Sequence, residues 1–237
     1  MQIKVGLENN AGGRSLAWAQ DFPGCFSYGK DASEALVSLA PSFLLYKSWI
    51  ARHTAESWLA DVRDVDVHLS EVFEVYHIDT DFDTVAAGGV SIHSWFRHDW
   101  RPLTRLEVKR GLQVLSFARA DLLDLAFNLP DETLNRTYPD ERWSIRGILQ
   151  HVAGVEWYYL DCLGQAGFTR RELPEDPFEC LGMVRRRTLE VLSAAEGATQ
   201  VVGVGGEFWS PRKLLRRVAW HELDHLQHIQ RLSQINV

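Results

Sequence analysis

From Gln2 to Glu8 apolar and polar positions alternate, with Ile3, Val5 and Leu7 on one side, the period of a strand with one covered face. Asn9-Asn10-Ala11-Gly12-Gly13 follows, and Asn and Gly tolerate the positive φ of a tight turn. A second strand is predicted from about Arg14 to Asp21, broken by Phe22-Pro23-Gly24, with a short continuation over Cys25 to Tyr28. Asp31-x-x-Glu34 has the form of a capping box. It predicts a helix from Ala32 to about Ala40, kinked at Pro41 and resuming toward Ala51. Val65 to Ile78 alternates again and predicts a third strand. Asp79 to Asp83 with Gly88-Gly89 reads as a linker.

From Thr104 the period becomes helical. Thr104-x-x-Glu107 is a second capping box, and Leu112, Leu115, Leu122 and Leu125 recur at three- or four-residue spacing up to Asn128-Leu129-Pro130. A second helix starts at Ser144, carries Ile148, Val152, Val155 and Tyr159 on one face and ends near Gly164. Asp176-Pro177-Phe178-Glu179 opens a third, with Leu181, Val184, Leu192 and Ala195. Gly197 to Gly206 is a glycine-rich loop, and Ser210-Pro211 opens a fourth helix. The pattern predicts an α+β N-terminal domain (a small antiparallel sheet plus a helix) over residues 1–82. A linker over 83–103 and an all-α four-helix bundle over 104–237 follow.

One internal echo stands out. Trp143-Ser144-Ile145-Arg146 and Trp209-Ser210-Pro211-Arg212 share Trp-Ser-x-Arg, and Val152-Ala153 and Val218-Ala219 continue the match at the same offset of 66 residues. Either two amphipathic helix starts coincide, or the bundle consists of two related helix hairpins.

Composition narrows the classes. Of 237 residues 46% are hydrophobic and 24% charged, which excludes a disordered chain, a collagen and a coiled-coil rod. The net charge of −7 argues against a nucleic-acid-binding surface. The acidity is uneven: 8 basic against 14 acidic residues precede Thr104, and 17 against 18 follow. This asymmetry also suggests two units. Three separated cysteines, Cys25, Cys162 and Cys180, suggest no disulfide framework. No secretory signal or stretch of about 18 apolar residues is apparent, so a soluble cytoplasmic protein is expected, with no membrane partner.

The chemistry concentrates in Trp220-His221-Glu222-Leu223-Asp224-His225-Leu226-Gln227-His228. His221 and His225 are four apart, hence neighbours on one helix face, and they continue the stripe of Leu214, Val218 and Leu232. Two unpaired imidazoles on a buried face would cost several kcal/mol. One divalent cation satisfies both, because each neutral ring can donate a lone pair. His151, beside Ile148, Val152 and Val155 on the second helix, completes a candidate set of His151, His221 and His225. The alternative is that each histidine is satisfied separately by hydrogen bonds. His221-Glu222-x-x-His225 also matches the H-E-x-x-H string of zinc hydrolases, though Glu222 lies about 100° from His221 around a helix. Glu156 is read as a salt-bridge partner of an arginine, His228 as a group at the site edge, and Arg185-Arg186-Arg187 and Arg216-Arg217 as solvated faces.

The second half resembles the DinB-like family of metal-binding four-helix bundles. The resemblance lies in Trp143-Ser144, Ile148-Leu149-Gln150-His151-Val152-Ala153 and His221-x-x-x-His225-x-x-His228-Ile229, and covers roughly residues 95–237. It implies one divalent ion (zinc, nickel or manganese), the three histidines as ligands and a homodimer. It also implies a metal-dependent enzyme, of hydrolase or thiol-S-transferase type, acting on an unidentified small molecule. The first half resembles the HicB-like antitoxin fold in Ile3-x-Val5, Asp21-Phe22-Pro23-Gly24-Cys25 and Gly29-x-Asp31-Ala32-x-Glu34-Ala35-Leu36. That implies an accessory domain able to capture a small protein partner, and makes a protein-binding module on a structural bundle the alternative function.

Overall fold

The computed structural model describes residues 1–78 and 90–234. The linker signals of Asp79–Asp83 and Gly88-Gly89 lie outside the described residues. The chain divides into two compact units, Met1–Arg101 with Thr199–Arg216, and Pro102–Ala198 with Arg217–Val237.

The first unit is built on β1 (Gln2–Ala11), β2 (Arg14–Ala19), β3 (Phe26–Gly29) and β4 (Asp66–Glu74), in the order β3-β2-β1-β4. β1 and β2 form an antiparallel hairpin, closed by Asn10, Gly12 and Gly13 at positive φ. β4 runs parallel to β1, from Gln2 opposite Asp66 to Asn9 opposite Glu74. The sheet is therefore mixed, where the sequence pattern predicted an antiparallel one. A parallel neighbour needs a long crossover, and α1 (Ala32–His53) supplies it on the return from β3. Alternation shows that a segment is a strand, not the direction in which it pairs.

Asp31 caps α1 by accepting from the Glu34 backbone N–H at 2.9 Å. The helix continues through Pro41, which lies on its exposed side. Its buried face, Ala35, Leu39, Phe43, Tyr46, Trp49 and Ile50, belongs to the core that also holds Ile3, Val5 and Leu7.

Gly6 and Glu8 serve a second layer. A Cβ on Gly6 would come within 2.7 Å of the Phe96 ring, so any larger residue would force that buried ring to move. Buried Glu8 accepts from Ser94 at 2.7 Å and from Trp18 at 3.2 Å, and its other oxygen lies 2.8 Å from His93 Nδ1. Buried Arg216 reaches Asp99 at 2.6 and 3.0 Å. Residues 90–101, which the sequence assigned to a linker, thus cluster with this unit, with β5 (Tyr76–Ile78) paired to β6 (Val90–Ile92).

The glycine-rich stretch also carries structure. β7 (Val202–Val204) and β8 (Glu207–Trp209) form a hairpin around Gly205 and Gly206, both at positive φ, as a type I′ turn requires. Its strands are three residues each, too short for a readable period.

The second unit is mostly helical. α2 (Arg105–Phe127) opens on the Thr104/Glu107 capping box, α3 (Asp131–Asn135) is a single short turn, and α4 (Ile145–Cys162) is capped by Ser144. α5 (Pro177–Ser193) starts from Asp176, with Pro177 in the first turn. α6 spans Pro211–Ser233, and its residues from Arg217 onward cluster with this unit. The 66-residue offset recurs at the helix boundaries. α2 ends at Phe127 and α5 at Ser193, while α4 begins at Ile145 and α6 at Pro211. The echo thus relates the helix pair α2–α4 to the pair α5–α6 in their boundaries as well as in sequence. Among the described residues no helix is long and apolar enough to cross a membrane.

Candidate metal centre

α4 supplies His151, and α6 supplies His221 and His225. On α6 the four-residue spacing puts both imidazoles on one face, with ring centroids 4.5 Å apart. His151 meets them from α4, its centroid 5.0 Å from His221 and 5.1 Å from His225. One ring nitrogen from each of the three lies within 4.8 Å of the others. The Nε2 atoms of His151 and His221 are 3.2 Å apart.

The surroundings favour neutral rings. Burial pushes the His221 pKa well below the ordinary range, and the nearby His225, His151 and Arg217 charges push it the same way. Burial, followed by His151 and His228, brings His225 down to about 3. Burial and then Arg142 lower His151. With the Nε2 atoms of His151 and His221 at 3.2 Å, one of these two rings donates its N–H to the other, so the pair shares a proton as it stands, and all three rings offer a nitrogen within reach of one another. Moreover, His225 Nδ1 is buried with no hydrogen-bond partner among the described residues. A buried, unsatisfied nitrogen beside two others is the donor set that a borderline divalent cation takes.

Trp143 stacks on His151 with ring centroids 4.6 Å apart and 25° between planes, which limits how the ring can turn. His228 does not join the trio: its Nε2 lies 2.9 Å from Glu141 Oε1.

Behind the histidines is a second polar cluster that sequence reasoning missed. Arg119 on α2 donates to Glu156 on α4 at 2.8 Å and to Glu222 on α6. Arg185 on α5 donates to Glu156 at 2.8 and 3.1 Å and to Glu222. The four are 8, 2, 6 and 1% exposed in the order Arg119, Glu156, Arg185, Glu222. Glu156 is thus the salt-bridge partner that the sequence suggested, here with two arginines. The solvated-face reading fails for Arg185, Arg216 and Arg217, all of which are buried. In the first run successive residues turn 100° around the helix, so Arg185 points inward while Arg186 stays exposed, whereas Arg216 and Arg217 are both buried. Applying the 66-residue offset to the arginines and glutamates, and not only to Trp-Ser, would have paired Arg119 with Arg185 and Glu156 with Glu222.

Residues 115–229 match the family model of the DinB superfamily, a span that holds all three histidines and both buried ion-pair arginines. No curated protein matches the chain significantly.

Proposed function

We propose that this chain is a DinB-like divalent-metal protein whose helical unit is a four-helix bundle holding one ion on His151, His221 and His225. Its role is that of a metal-dependent enzyme of hydrolase or thiol-S-transferase type. The convergence of three neutral imidazoles from α4 and α6, within the segment matched by the family model, carries the reading. When bound, zinc, nickel or manganese supplies Lewis-acid chemistry there. The chain's own part is to hold three bases in place. Trp143 stacks on one ring, and burial keeps all three deprotonated.

The H-E-x-x-H hydrolase reading needs Glu222 as a free base. Here both of its oxygens accept from arginines in a buried site, which argues against that role. The test is metal analysis of protein purified without added metal or chelator. About one divalent ion per chain is expected, and its loss in His221→Ala. Unchanged metal content in that variant would refute the assignment.

One observation keeps a protein-binding role for the first unit in view. On α1, Val37 and Leu45 are 77 and 72% exposed, and no charged residue occurs from Ala35 through Tyr46. We read this unit as an HicB-like accessory domain. Light scattering on wild type and Leu45→Glu separates self-association through this face from capture of a small partner.

A further inference from the structure

The Arg–Glu cluster has a symmetry that its sequence positions disclose. Arg119 and Arg185 are 66 residues apart, as are Glu156 and Glu222. Each helix pair, α2–α4 and α5–α6, therefore contributes one arginine and one glutamate. The hydrogen bonds exchange in the same way: Arg119 Nη1 donates to the Leu181 carbonyl and Arg185 Nη1 to the Leu115 carbonyl, both at 2.6 Å, and Leu115 and Leu181 are again 66 apart. Exchanging the two helix pairs maps the four residues and both carbonyl contacts onto each other, with one additional bond from Arg185 to Glu156. Every long helix of the unit enters the ring once.

Stability alone is a poor reason for such a ring. Desolvating four charges is costly, and well-packed apolar replacements of buried ion pairs are often neutral or stabilising. A closed ring does limit geometry. Each guanidinium presents a planar fork, and each carboxylate here takes both arginines. Rotating α6 by one residue would turn Glu222 through about 100° out of the ring, and would take its sequence neighbour His221 off the point where it meets His151. Packing by apolar side chains tolerates such adjustments better than this ring does.

We infer that the Arg119–Glu156–Arg185–Glu222 ring positions the metal centre by locking the rotation and register of α6 against α4. These are positioning residues, acting through His151, His221 and His225. The inference rests on the metal-binding reading above.

The experiment compares the full chain with a variant whose ring is apolar: Arg119→Met, Arg185→Met, Glu156→Leu and Glu222→Leu together. Cobalt(II) alone is the probe, read by its visible absorption during titration, alongside thermal unfolding of the metal-free proteins. The expected result is a folded variant, at least as heat-resistant as wild type, that binds cobalt(II) at least 10-fold more weakly with an altered visible band. Affinity within two-fold of wild type, with the same band, would overturn the inference. If the fourfold variant does not fold, Glu222→Gln titrated at low temperature decides by the same two criteria. A wild-type chain that takes up no cobalt(II) would instead refute the metal-binding reading itself, so the two failures are distinguishable.

Discussion

The helical unit holds two buried polar clusters that solve opposite problems. In the Arg–Glu ring two cations face two anions, the formal charges cancel, and each guanidinium also reaches a backbone carbonyl. In the histidine cluster three bases face one another, two ring nitrogens sit 3.2 Å apart, and a third buried nitrogen has no partner among the described residues. The ring is complete as it stands, whereas the histidine cluster keeps a buried ring nitrogen with no partner among the described residues. Both are buried and polar, so burial does not distinguish them; the balance of donors, acceptors and charge does.

That contrast can be broken most forcefully from the ring side. Glu222→Ala leaves two buried guanidiniums each short of a carboxylate and should cost about 3–5 kcal/mol in urea unfolding of the metal-free protein. A loss under about 1 kcal/mol would mean that water replaces the missing acceptor.

Acid attacks the same ring. Burial by itself would raise the Glu156 carboxyl, but Arg185 and Arg119 hold it at about 2 against an ordinary 4.5. A depressed carboxylate contributes stability that is present above 4.5 and is lost as pH falls through that value toward 2. Stability should therefore drop by a few kcal/mol over this window, because each tenfold change in proton affinity corresponds to about 1.4 kcal/mol. Glu156→Gln should flatten the slope of the pH-dependent unfolding curve.

The histidine cluster should respond to metal instead. Cobalt(II) or zinc at about 100 times its dissociation constant should stabilise the wild type by about 2.7 kcal/mol. The stabilisation should be absent in His225→Ala and preserved in His228→Ala, since His228 pairs with Glu141. Calorimetric unfolding with and without metal reads this directly. The smallest effect expected is from Trp143→Ala. Losing the stack on His151 should weaken metal binding by roughly 1 kcal/mol, about five-fold, with the site's stoichiometry intact.

Much of this was legible along the chain. Thr104 and Glu107, Asp31 and Glu34, and Asp176 with Pro177 mark helix starts within three residues of themselves, and the structure has caps at each. The histidine trio was also legible, because two members share one helix face and the third sits on a predicted apolar stripe. Less visible were features whose partners lie far away. β4 joins β1 across more than 60 residues, and Arg119 finds Glu222 across 103. Nothing local distinguishes Arg119 from Arg105 and Arg110 on the same helix as the one buried against two carboxylates.

The amino-acid order alone determined the strand and helix periods, the caps, the 66-residue echo and the three candidate ligands. These depend on interactions that reach three or four residues along the backbone, or on residue identity itself. Tertiary packing alone decided that β1 and β4 run parallel, that residues 90–101 cluster with the first unit, and that four separated charges close into a ring. Direction of pairing and burial of charge depend on which distant surfaces meet. Only after the chain has folded back on itself do the desolvation cost of an ion and the partner that offsets it occur at the same point in space.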